Sequence, residues 1–448
     1  EQGGDIDNNQ AVFATFQLGY KSWAYLDLTA RNDWFSTLAN TDNERSGFFY
    51  PSVGVSAVVS EIVDLSKAYI SFLKVRASYS EVGNPPMRQI TMPTYTIKDG
   101  VVNTSSRLLN PDLKPERTKS VEVGMNLRMF QNLLNIDFTY YNSNTYNQFI
   151  NYTMPPSTGY SDYMLNGGKV NNWGIEARLG VNANLGPVKW NSNLTFTMNR
   201  NKVVYLLPSG ATNPITGEPI SITEIEPFNP QGSYKMIVKE GGTLSDIYVT
   251  GLKMDYLGNV KVDANTGAIE ADPNTWIKAG SAAPRFNWGW NNSFSWKGIN
   301  LSFLIDARIG GVGVSATQAK MDYYGTSKTS AIVRDNGGVN INSGRVTAKD
   351  YYNVLGNGST GVLANYVYSM TNVRLREATL GYTFPTKWFG NQIQNLTVSL
   401  IGKNLFMFHN KAPFDPELSA STGTYYQGFD YFMQPSVRSI GFSVKFQY

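Results

Sequence analysis

The chain has 448 residues, a net charge of +4 and a single histidine, and it contains no cysteine. The lack of cysteine excludes disulfides and thiolate metal sites. The scattered lysines and arginines form no basic block of the kind that indicates a nucleic-acid-binding protein. Charged residues make up only 16% of the chain, whereas soluble domains average about 25%. No run of about 20 apolar residues occurs, which excludes helical membrane spans.

Apolar and polar residues alternate along many segments of the chain, and this period of two predicts β-strands. The phase of the alternation shifts between Leu375 and Ala378, which predicts a β-bulge. The predicted strands have their alternating apolar positions at 12–20, 24–30, 73–79, 121–129, 134–140, 175–183, 194–198, 286–290, 299–305, 378–384, 396–400 and 440–448. Alternation alone fits a soluble β-sandwich and a membrane β-barrel equally well.

The lengths of the connections separate these two folds. Short turns are predicted near 21–22, 131–133, 185–187 and 297–298, and long connections at 31–48, 80–116, 142–170, 204–284, 310–366 and 405–436. Short and long connections alternate, which is typical of a transmembrane antiparallel β-barrel with short periplasmic turns and long extracellular loops. The sequence therefore predicts an all-β chain of this class, with about 13 strands.

The last predicted strand ends at the last residue of the sequence. Its apolar face consists of Ile440, Phe442, Val444, Phe446 and Tyr448, and polar or small residues occupy the alternate positions. In water such a strand would expose an edge that invites aggregation. In a closed barrel the last strand pairs with the first, and its apolar face meets lipid.

An odd strand count indicates that the chain is part of a larger barrel, because bacterial single-chain barrels have even numbers of strands. The sequence also begins without an initiating Met or an export signal. We therefore expect residues 1–448 to be the C-terminal portion of a barrel, with an odd number of strands upstream.

Several motifs, in order along the chain, resemble those of SusC/RagA-type TonB-dependent transporters of Bacteroidota. They are the segments 49–53 (FYPSV), 73–76 (LKVR) leading to 82–84 (VGN), 110–116 (NPDLKPE) followed by Glu122 and Gly124, 373–385 (VRLREATLGYTFP), 402–406 (GKNLF), 415–417 (DPE) and the terminal aromatic strand.

This resemblance implies a barrel of about 22 strands with a plug domain that is expected upstream and is absent from this chain. It further implies an outer-membrane location in a Gram-negative bacterium of the Bacteroidota, a SusD-like surface lipoprotein as a lid, and energy supplied through TonB. The implied activity is active import of oligomeric nutrients. Phe442, Val444, Phe446 and Tyr448 resemble the terminal signal that the barrel-assembly machinery recognises.

Catalysis and cofactor binding find little support in the sequence. The single histidine, His409, lies in a predicted loop, so a catalytic triad or a histidine-rich metal site would have to be built around one residue. The segment 263–270 is similar to calcium-binding loops, but its spacing is one residue short and its glycine is misplaced. A plain turn between two short strands explains it better, and we expect neither an enzyme, a metal site nor a cofactor.

Aromatic residues in the predicted extracellular loops are the candidate substrate contacts, because aromatic rings stack on sugar rings and tyrosine adds a hydroxyl. They could instead pack the loops, contact the lid or lie in the interfacial aromatic belt, where Trp288, Trp290, Trp296 and Trp388 are expected. The candidates are Tyr160, Tyr163, Trp276, Tyr323, Tyr324, Tyr351, Tyr352, Tyr425, Tyr426, Phe429 and Tyr431.

These aromatic residues favour oligosaccharide over oligopeptide as the imported substrate. A passive porin or structural barrel is the alternative from a different functional class, and it would lack a plug. A soluble adhesin is a third possibility, disfavoured by the alternation of short and long connections.

Overall fold

A computed structural model describes residues 7–88, 90–92, 95–104, 106–342, 344–357, 361–390, 394–417 and 427–447. The chain divides into two compact units. The first contains residues 1–179, 199–224 and 239–242, and the second contains residues 180–198, 225–238 and 243–448.

Strands dominate both units. In chain order the strands are β1 Asn9–Tyr20, β2 Ala24–Phe35, β3 Phe48–Val58, β4 Ile70–Asn84, β5 Tyr95–Lys98, β6 Val101–Thr104, β7 Arg107–Leu108, β8 Glu116–Met129, β9 Leu134–Thr153, β10 Asp162–Leu185, β11 Val188–Tyr205, β12 Glu224–Gln231, β13 Tyr234–Lys239, β14 Asp246–Leu252, β15 Ala271–Ser281, β16 Phe286–Trp296, β17 Ile299–Ile309, β18 Val312–Ser315, β19 Val339–Ile341, β20 Gly344–Val346, β21 Val367–Ser369, β22 Asn372–Thr383, β23 Gln394–Asn410, β24 Phe429–Asp430 and β25 Ser439–Gln447.

The helices are short. The three α-helices are α1 Ala316–Tyr323, α2 Lys328–Asp335 and α3 Ala348–Leu355, and 3₁₀ turns occur at Ser36–Leu38, Val59–Glu61, Ser66–Ala68, Pro156–Thr158, Leu363–Tyr366 and Thr386–Phe389. Among the described residues, no helix is long and apolar enough to cross a membrane.

One large sheet follows the chain with few departures. Within the described part of the chain its strand order is β1-β2-β3-β4-β8-β9-β10-β11-β16-β17-β22-β23-β25, and β7 pairs in parallel with β10. The neighbouring pairs from β1 to β4, from β4 through β8 to β9, and from β11 through β16, β17, β22 and β23 to β25 are antiparallel. These thirteen strands agree with the strand count predicted from the sequence.

The predicted short turns are confirmed as tight hairpins. Lys21 and Ser22, which join β1 to β2, have φ values of 45° and 60°. Lys297 and Gly298, which join β16 to β17, have φ values of 46° and 90°. Positive φ at both central residues is the geometry of a type I′ turn, whose twist matches that of the flanking strands.

In the second unit, a row of exposed apolar side chains crosses four neighbouring strands. Leu301, Leu380, Leu400 and Phe442 are direct register partners in sequence, on β17, β22, β23 and β25. Their exposed fractions are 41%, 55%, 57% and 80%. On an adjacent row, Asn300 donates a 2.9 Å hydrogen bond to Thr383. One face of this part of the sheet is therefore apolar and uncovered, as expected of strands that face lipid.

The first unit carries an equivalent row. Leu18, Leu26, Val55, Ala77 and Val123 are successive register partners across β1, β2, β3, β4 and β8. They line a shallow apolar hollow of about 650 Å³ together with neighbouring residues. In water an apolar surface of this kind would be an aggregation liability, whereas lipid would cover it.

The connection predicted at 142–170 is wrong in its extent, because β9 continues to Thr153 and β10 begins at Asp162. These strand ends are rich in asparagine and lack the apolar alternation that a lipid-facing segment needs. They are linked by side-chain amides instead, and Asn171 donates hydrogen bonds to Asn142 and Asn144 at 2.8 and 3.2 Å. Strands are predicted here from alternating apolar residues, so a polar extension of a strand is not detected.

The longest predicted loop, 204–284, contains a folded sheet. Strands β12 to β15 form a four-stranded sheet of their own. Its side chains Tyr234, Met236, Ile247 and Val249 are buried in a core that also includes residues of α1, α3 and β18. In the second unit, the connections therefore have a hydrophobic core separate from the large sheet.

The 110–116 motif anchors a second, smaller core in the first unit. Leu113 is fully buried against Phe35, Leu38, Ile90 and Met164. The Asn110 side chain donates a hydrogen bond to the Met164 carbonyl at 3.0 Å. The motif thus fixes the path of the chain as it enters β8.

The 82–84 motif contains a glycine that makes room for an aromatic ring. A Cβ at Gly83 would overlap the hydroxyl group of Tyr50, which belongs to the 49–53 motif. These two segments, which are far apart in sequence, therefore depend on each other.

The predicted β-bulge is confirmed, and its extra residue is Arg376. Leu304 pairs with Glu377 whereas Ile305 pairs with Leu375, so Arg376 has no partner on β17. A bulge reorients a side chain relative to regular alternation. Here it moves the apolar positions of β22 from odd to even numbers, because Leu375 pairs with Ile305 and Ala378 pairs with Phe303. Arg374 and Arg376, two residues apart, share the polar face.

Five charged residues form a network, which we call the arginine latch: Asp306, Arg374, Arg376, Asp415 and Glu417. The Arg374 side chain is 3% exposed and lies 2.8 Å from the Asp415 carboxylate. Arg376 lies 2.5 Å from both Asp306 and Glu417. The latch connects the segment after β23 to β17 and β22. It joins two motifs whose paired residues are 41 positions apart in the sequence.

The carboxyl group of Asp415 is strongly held in its charged form. Burial alone would raise the pKa of Asp415, but hydrogen bonds from Arg374 and Ser436 outweigh burial and lower the pKa below its ordinary value of 3.8. The stabilisation that this depressed pKa represents is complete above pH 3.8 and is lost as the pH falls through the lower, folded-state pKa.

We predict that Asp415→Asn lowers the free energy of unfolding by about 3 kcal/mol, because it removes the closer of the two carboxylates that pair with the buried Arg374 cation and leaves only Glu417, at 3.5 Å. Urea unfolding of the detergent-solubilised protein, followed by tryptophan fluorescence, measures this change. Asp112→Asn is the control, because Asp112 pairs with Lys114 on the surface at 2.9 Å, where a pair contributes about 0–1 kcal/mol. Equal losses in the two variants would contradict a special role for the latch.

We predict that Gly83→Ala destabilises the first unit by about 1–3 kcal/mol, because the added methyl group displaces the Tyr50 ring. Gly54→Ala is the matched control, since its Cβ would lie at an ordinary 3.6 Å from Asp27. The same urea titration compares them. If the clash is the cause, Gly83→Ala becomes harmless in a Tyr50→Ala background, and a persistent loss there would refute it.

Candidate functional site

Three capped helices form within the connection between β18 and β21. Each helix begins after a hydroxyl side chain that accepts a hydrogen bond from a backbone N–H of the first turn: Ser315 from Gln318, Ser327 from Ser330 and Thr347 from Asp350. Such N-caps supply a partner for backbone groups that a helix start leaves unpaired. This explains why eight-residue segments are helical here.

Close packing holds α1 against the end of α3. A Cβ at Gly356 would lie 2.5 Å from the Ala319 carbonyl oxygen and from the Tyr323 Cβ, so only glycine fits at this contact. Leu355, just before it, is buried in the core with Ala319. The two helices that carry the candidate tyrosines, α1 and α3, are therefore held in position by their packing in this core.

A concave site of about 530 Å³ lies among the three helices, and we call it the tyrosine cleft. Its lining residues include Tyr323, Tyr324, Arg334, Lys349, Tyr352, Asn353 and the buried Asp322. The Tyr323 and Tyr324 rings meet edge to face with centroids 5.0 Å apart. Tyr324 is 72% exposed and so presents an aromatic surface to a ligand.

Two polar groups of the cleft, Asp322 and Tyr352, have a defined hydrogen-bonding or protonation state. Asp322 is buried and accepts hydrogen bonds from Gln318, at 2.8 Å, and from Ser327. Burial, with a smaller contribution from the Asp322 charge, raises the pKa of Tyr352 to about 12. The Tyr352 hydroxyl therefore stays protonated and can act as a hydrogen-bond donor at any physiological pH.

The other predicted aromatic contacts lie elsewhere. Tyr351 packs against Tyr352 with centroids 5.3 Å apart, and its hydroxyl accepts a hydrogen bond from Asn365. Phe429 is buried against Tyr234. Trp276 lies on β15 under the Lys235 ammonium group, which is 4.4 Å from the ring centroid.

Tyr160 and Tyr163 belong to the first unit, and both are half-buried, with Tyr163 paired to Leu108. Tyr425, Tyr426 and Tyr448 lie outside the described residues. Of the eleven predicted loop aromatics, the structure thus brings Tyr323, Tyr324 and Tyr352 together in one cleft.

Tyr431, a predicted contact, lies at the end of β24 beside Phe432, which sequence reasoning missed. Tyr431 and Phe432 are exposed, and their rings meet with centroids 5.0 Å apart. Phe432 has a φ of 52°, which is unusual for a bulky residue, and its N–H donates a 2.6 Å hydrogen bond to Thr317. An outlier of this kind cannot be read from the alternation of a sequence.

Arg334 and Lys349 were also missed as cleft residues. They lie 15 positions apart on two helices, inside a region predicted to be loop. No local spacing signals their proximity. Among the described residues, no group of three or more acidic or histidine side chains could hold a metal ion.

Similarity to known proteins agrees with this architecture. The sequence model of the family described as "TonB dependent receptor-like, beta-barrel" matches residues 2–276, which is more than half of the chain. "TonB-dependent receptor P26" of Formosa agariphila is 26% identical over 471 aligned residues, which cover 97% of this chain and 46% of the relative. "TonB-dependent receptor P3" of the same organism is 24% identical, covering 97% and 45%.

Solved structures show the same fold. The RagAB peptide importer in its open-open state matches with a TM-score of 0.71 and 17% identity, covering 97% of this chain and 46% of that chain. Another structure of the RagAB peptide transporter matches with a TM-score of 0.67 and 19% identity, covering 94% and 46%.

The chain spans about half the length of the curated relatives that it matches. The predicted fold class, the resemblance to SusC/RagA-type transporters and the expectation of a non-enzymatic protein are confirmed. The chain belongs to the TonB-dependent receptor-like β-barrel family.

Proposed function

We propose that the complete protein imports an oligomeric nutrient across the outer membrane of a bacterium of the Bacteroidota, with energy supplied through TonB. Membership of the receptor family supports this activity, and the two Formosa relatives support the phylum. The exposed apolar rows of both units support a membrane location for the strands. In this proposal the present chain supplies barrel wall and extracellular loops.

The proposal assigns the remaining parts to chains or segments beyond this sequence. A plug domain and the segment that contacts TonB would lie upstream, and a SusD-like lipoprotein would close the extracellular side. The relative from Formosa is about twice as long as this chain, since the alignment covers 46% of it, and this supports additional sequence in the full protein. The fold shared with the RagAB importer is compatible with a two-component assembly.

An oligosaccharide is the proposed substrate, and the observation that carries this choice is the tyrosine cleft. Tyr323, Tyr324 and Tyr352 surround a space of about 530 Å³, which matches the size range of small-molecule sites. The exposed Tyr324 ring offers a flat surface to the apolar face of a sugar. The Tyr352 hydroxyl and the Asn353 amide offer hydrogen bonds to sugar hydroxyls.

An oligopeptide is the second candidate. The solved structures with TM-scores of 0.67 and 0.71 are described as a peptide transporter or importer, and an aromatic and amide-lined cleft can also take peptide side chains. Uptake assays with both substrate classes therefore belong in the same experiment.

We predict that Tyr324→Ala in the full-length protein weakens oligosaccharide binding and uptake about fivefold, because one aromatic contact contributes about 0.5–1.5 kcal/mol. Uptake of labelled oligosaccharide pools by cells of the native host, and binding to the purified complex, measure the effect. Tyr256→Ala is the matched control, because Tyr256 is 94% exposed in another loop of the same unit.

Three outcomes of this assay are informative. Equal uptake by both variants would contradict the role of the cleft. Uptake of peptides but not of oligosaccharides would show that the substrate is an oligopeptide, the second candidate. Uptake that survives collapse of the proton gradient would identify a passive pore.

We also propose that the last strand is the recognition signal for barrel assembly. Phe442, Val444 and Phe446 are exposed on one face of β25, and Tyr448 continues that alternation in sequence. An exposed row of this kind is available to assembly machinery before lipid covers it.

We predict that Val444→Arg, or deletion of Tyr448, sharply reduces the amount of folded protein in the outer membrane. An arginine facing mid-bilayer lipid costs about 2–4 kcal/mol. Ser443→Arg is the control, because residue 443 points to the opposite face of the strand. The heat-modifiable folded form on unboiled gels is the readout, and normal amounts from Val444→Arg would refute the assignment.

A further inference from the structure

The rim of the tyrosine cleft is cationic, whereas its acidic group is buried. Arg334 and Lys349 line the cleft and are exposed. Asp322 also lines it, but that side chain is buried and is engaged by Gln318 and Ser327. A ligand that enters the cleft therefore meets the two cations before it meets the carboxylate.

These cations have weak partners or none in the part of the chain that the structure describes. Arg334 pairs only with its neighbour Asp335, at 3.4 Å and with both side chains largely exposed. Lys349 forms no ion pair within 4 Å among the described residues. Exposed pairs of this geometry contribute little, so both cations are available to a ligand.

A third cation lies beside the cleft. Arg345 on β20 approaches Gly337, which lines the cleft, so that a Cβ at Gly337 would lie 3.0 Å from the Arg345 guanidinium. The Arg345 side chain donates a hydrogen bond to the neutral Asn340 at 3.1 Å, not to a carboxylate. Two cations thus line the cleft and a third lies next to it, whereas the one acid in the lining, Asp322, is buried.

We propose that the tyrosine cleft selects acidic oligosaccharides, whose sugar rings stack on Tyr323 and Tyr324 and whose carboxylate or sulfate groups bind Arg334, Lys349 and Arg345. This inference rests on the proposed function, because it names the substrate class of the same site. Arginine and lysine both bind such oxyanions, and arginine can do so through two parallel hydrogen bonds. A neutral glycan would leave the three cations unused, and an apolar peptide would leave them unused as well.

The test compares acidic oligosaccharides with their own neutral derivatives. The probes are oligosaccharide pools from alginate and pectate, and the same pools after chemical reduction of every carboxylate to a primary alcohol. Binding is measured by calorimetry on the full-length protein, purified in detergent with its native partners. The expected result is at least tenfold tighter binding of an acidic pool than of its reduced form, with the advantage shrinking at high salt.

Charge variants assign that preference to the cleft. Arg334→Gln and Lys349→Gln should each weaken binding of the acidic pool about threefold and leave the reduced pool unchanged, because each removes one exposed charge contact. Lys349→Arg should restore the preference. Lys328→Gln is the control, since Lys328 is an exposed cation on α2 that does not line the cleft.

The possible results distinguish failure of the charge preference from failure of the proposed import function. Equal binding of acidic and reduced pools overturns the charge preference and leaves oligosaccharide import standing. Binding of peptides in place of both pools overturns the choice of a glycan but not of an importer. Failure of every pool and peptide to bind overturns both proposals.

Discussion

The uncovered apolar face of the strands is the constraint on which the rest of the structure depends. Leu301, Leu380, Leu400 and Phe442 stand side by side on four strands and remain largely exposed. Burying apolar surface yields about 25 cal/mol per Å², so a chain with such rows needs a partner that covers them. Lipid is that partner for a member of this family. The face is therefore unavailable for polar chemistry, which is confined to the opposite face and to the connections.

In the second unit, several connections have a hydrophobic core of their own. The sheet of β12 to β15 and the helices α1 and α3 share a buried core, so the cleft between the helices does not depend on the large sheet for its packing. The arginine latch adds a second kind of support, because Arg374 and Arg376 reach from β22 to Asp415 and Glu417 in the following connection. Arg374 and Arg376 are two residues apart and so share the polar face of β22, while the bulge between Leu375 and Glu377 moves the apolar positions to Ala378 and Leu380.

How much of this could be predicted depends on the range of the interactions. Alternation within a strand, the tight turns and the bulge after Leu375 are local, and the sequence predicted them correctly. The polar ends of β9 and β10 escaped prediction because their stability comes from asparagine pairs such as Asn171 and Asn142, about 30 residues apart. The sheet at 224–281 escaped because a shared core specifies it. The three helices escaped although their caps Ser315, Ser327 and Thr347 are local, because single serine and threonine residues are too common to mark a helix start. Composition likewise found Tyr323, Tyr324 and Tyr352, but it could not distinguish them from the buried Phe429 or find the cations beside them.

The separation between wall and cleft also explains how one fold can serve different substrates. A change in the strands must preserve the exposed apolar rows, the hairpins and the latch together, because every strand between β1 and β25 in the strand order of the large sheet is paired on both sides. A change at Arg334 or Lys349 alters two exposed side chains that support no core. A change of charge at these two positions therefore costs little stability, whereas Tyr323 and Tyr324, held by the contact of α1 with Gly356, are harder to move. Under the proposed function, ring stacking is therefore the part of recognition that is costly to change, and charge is the part that is easily changed.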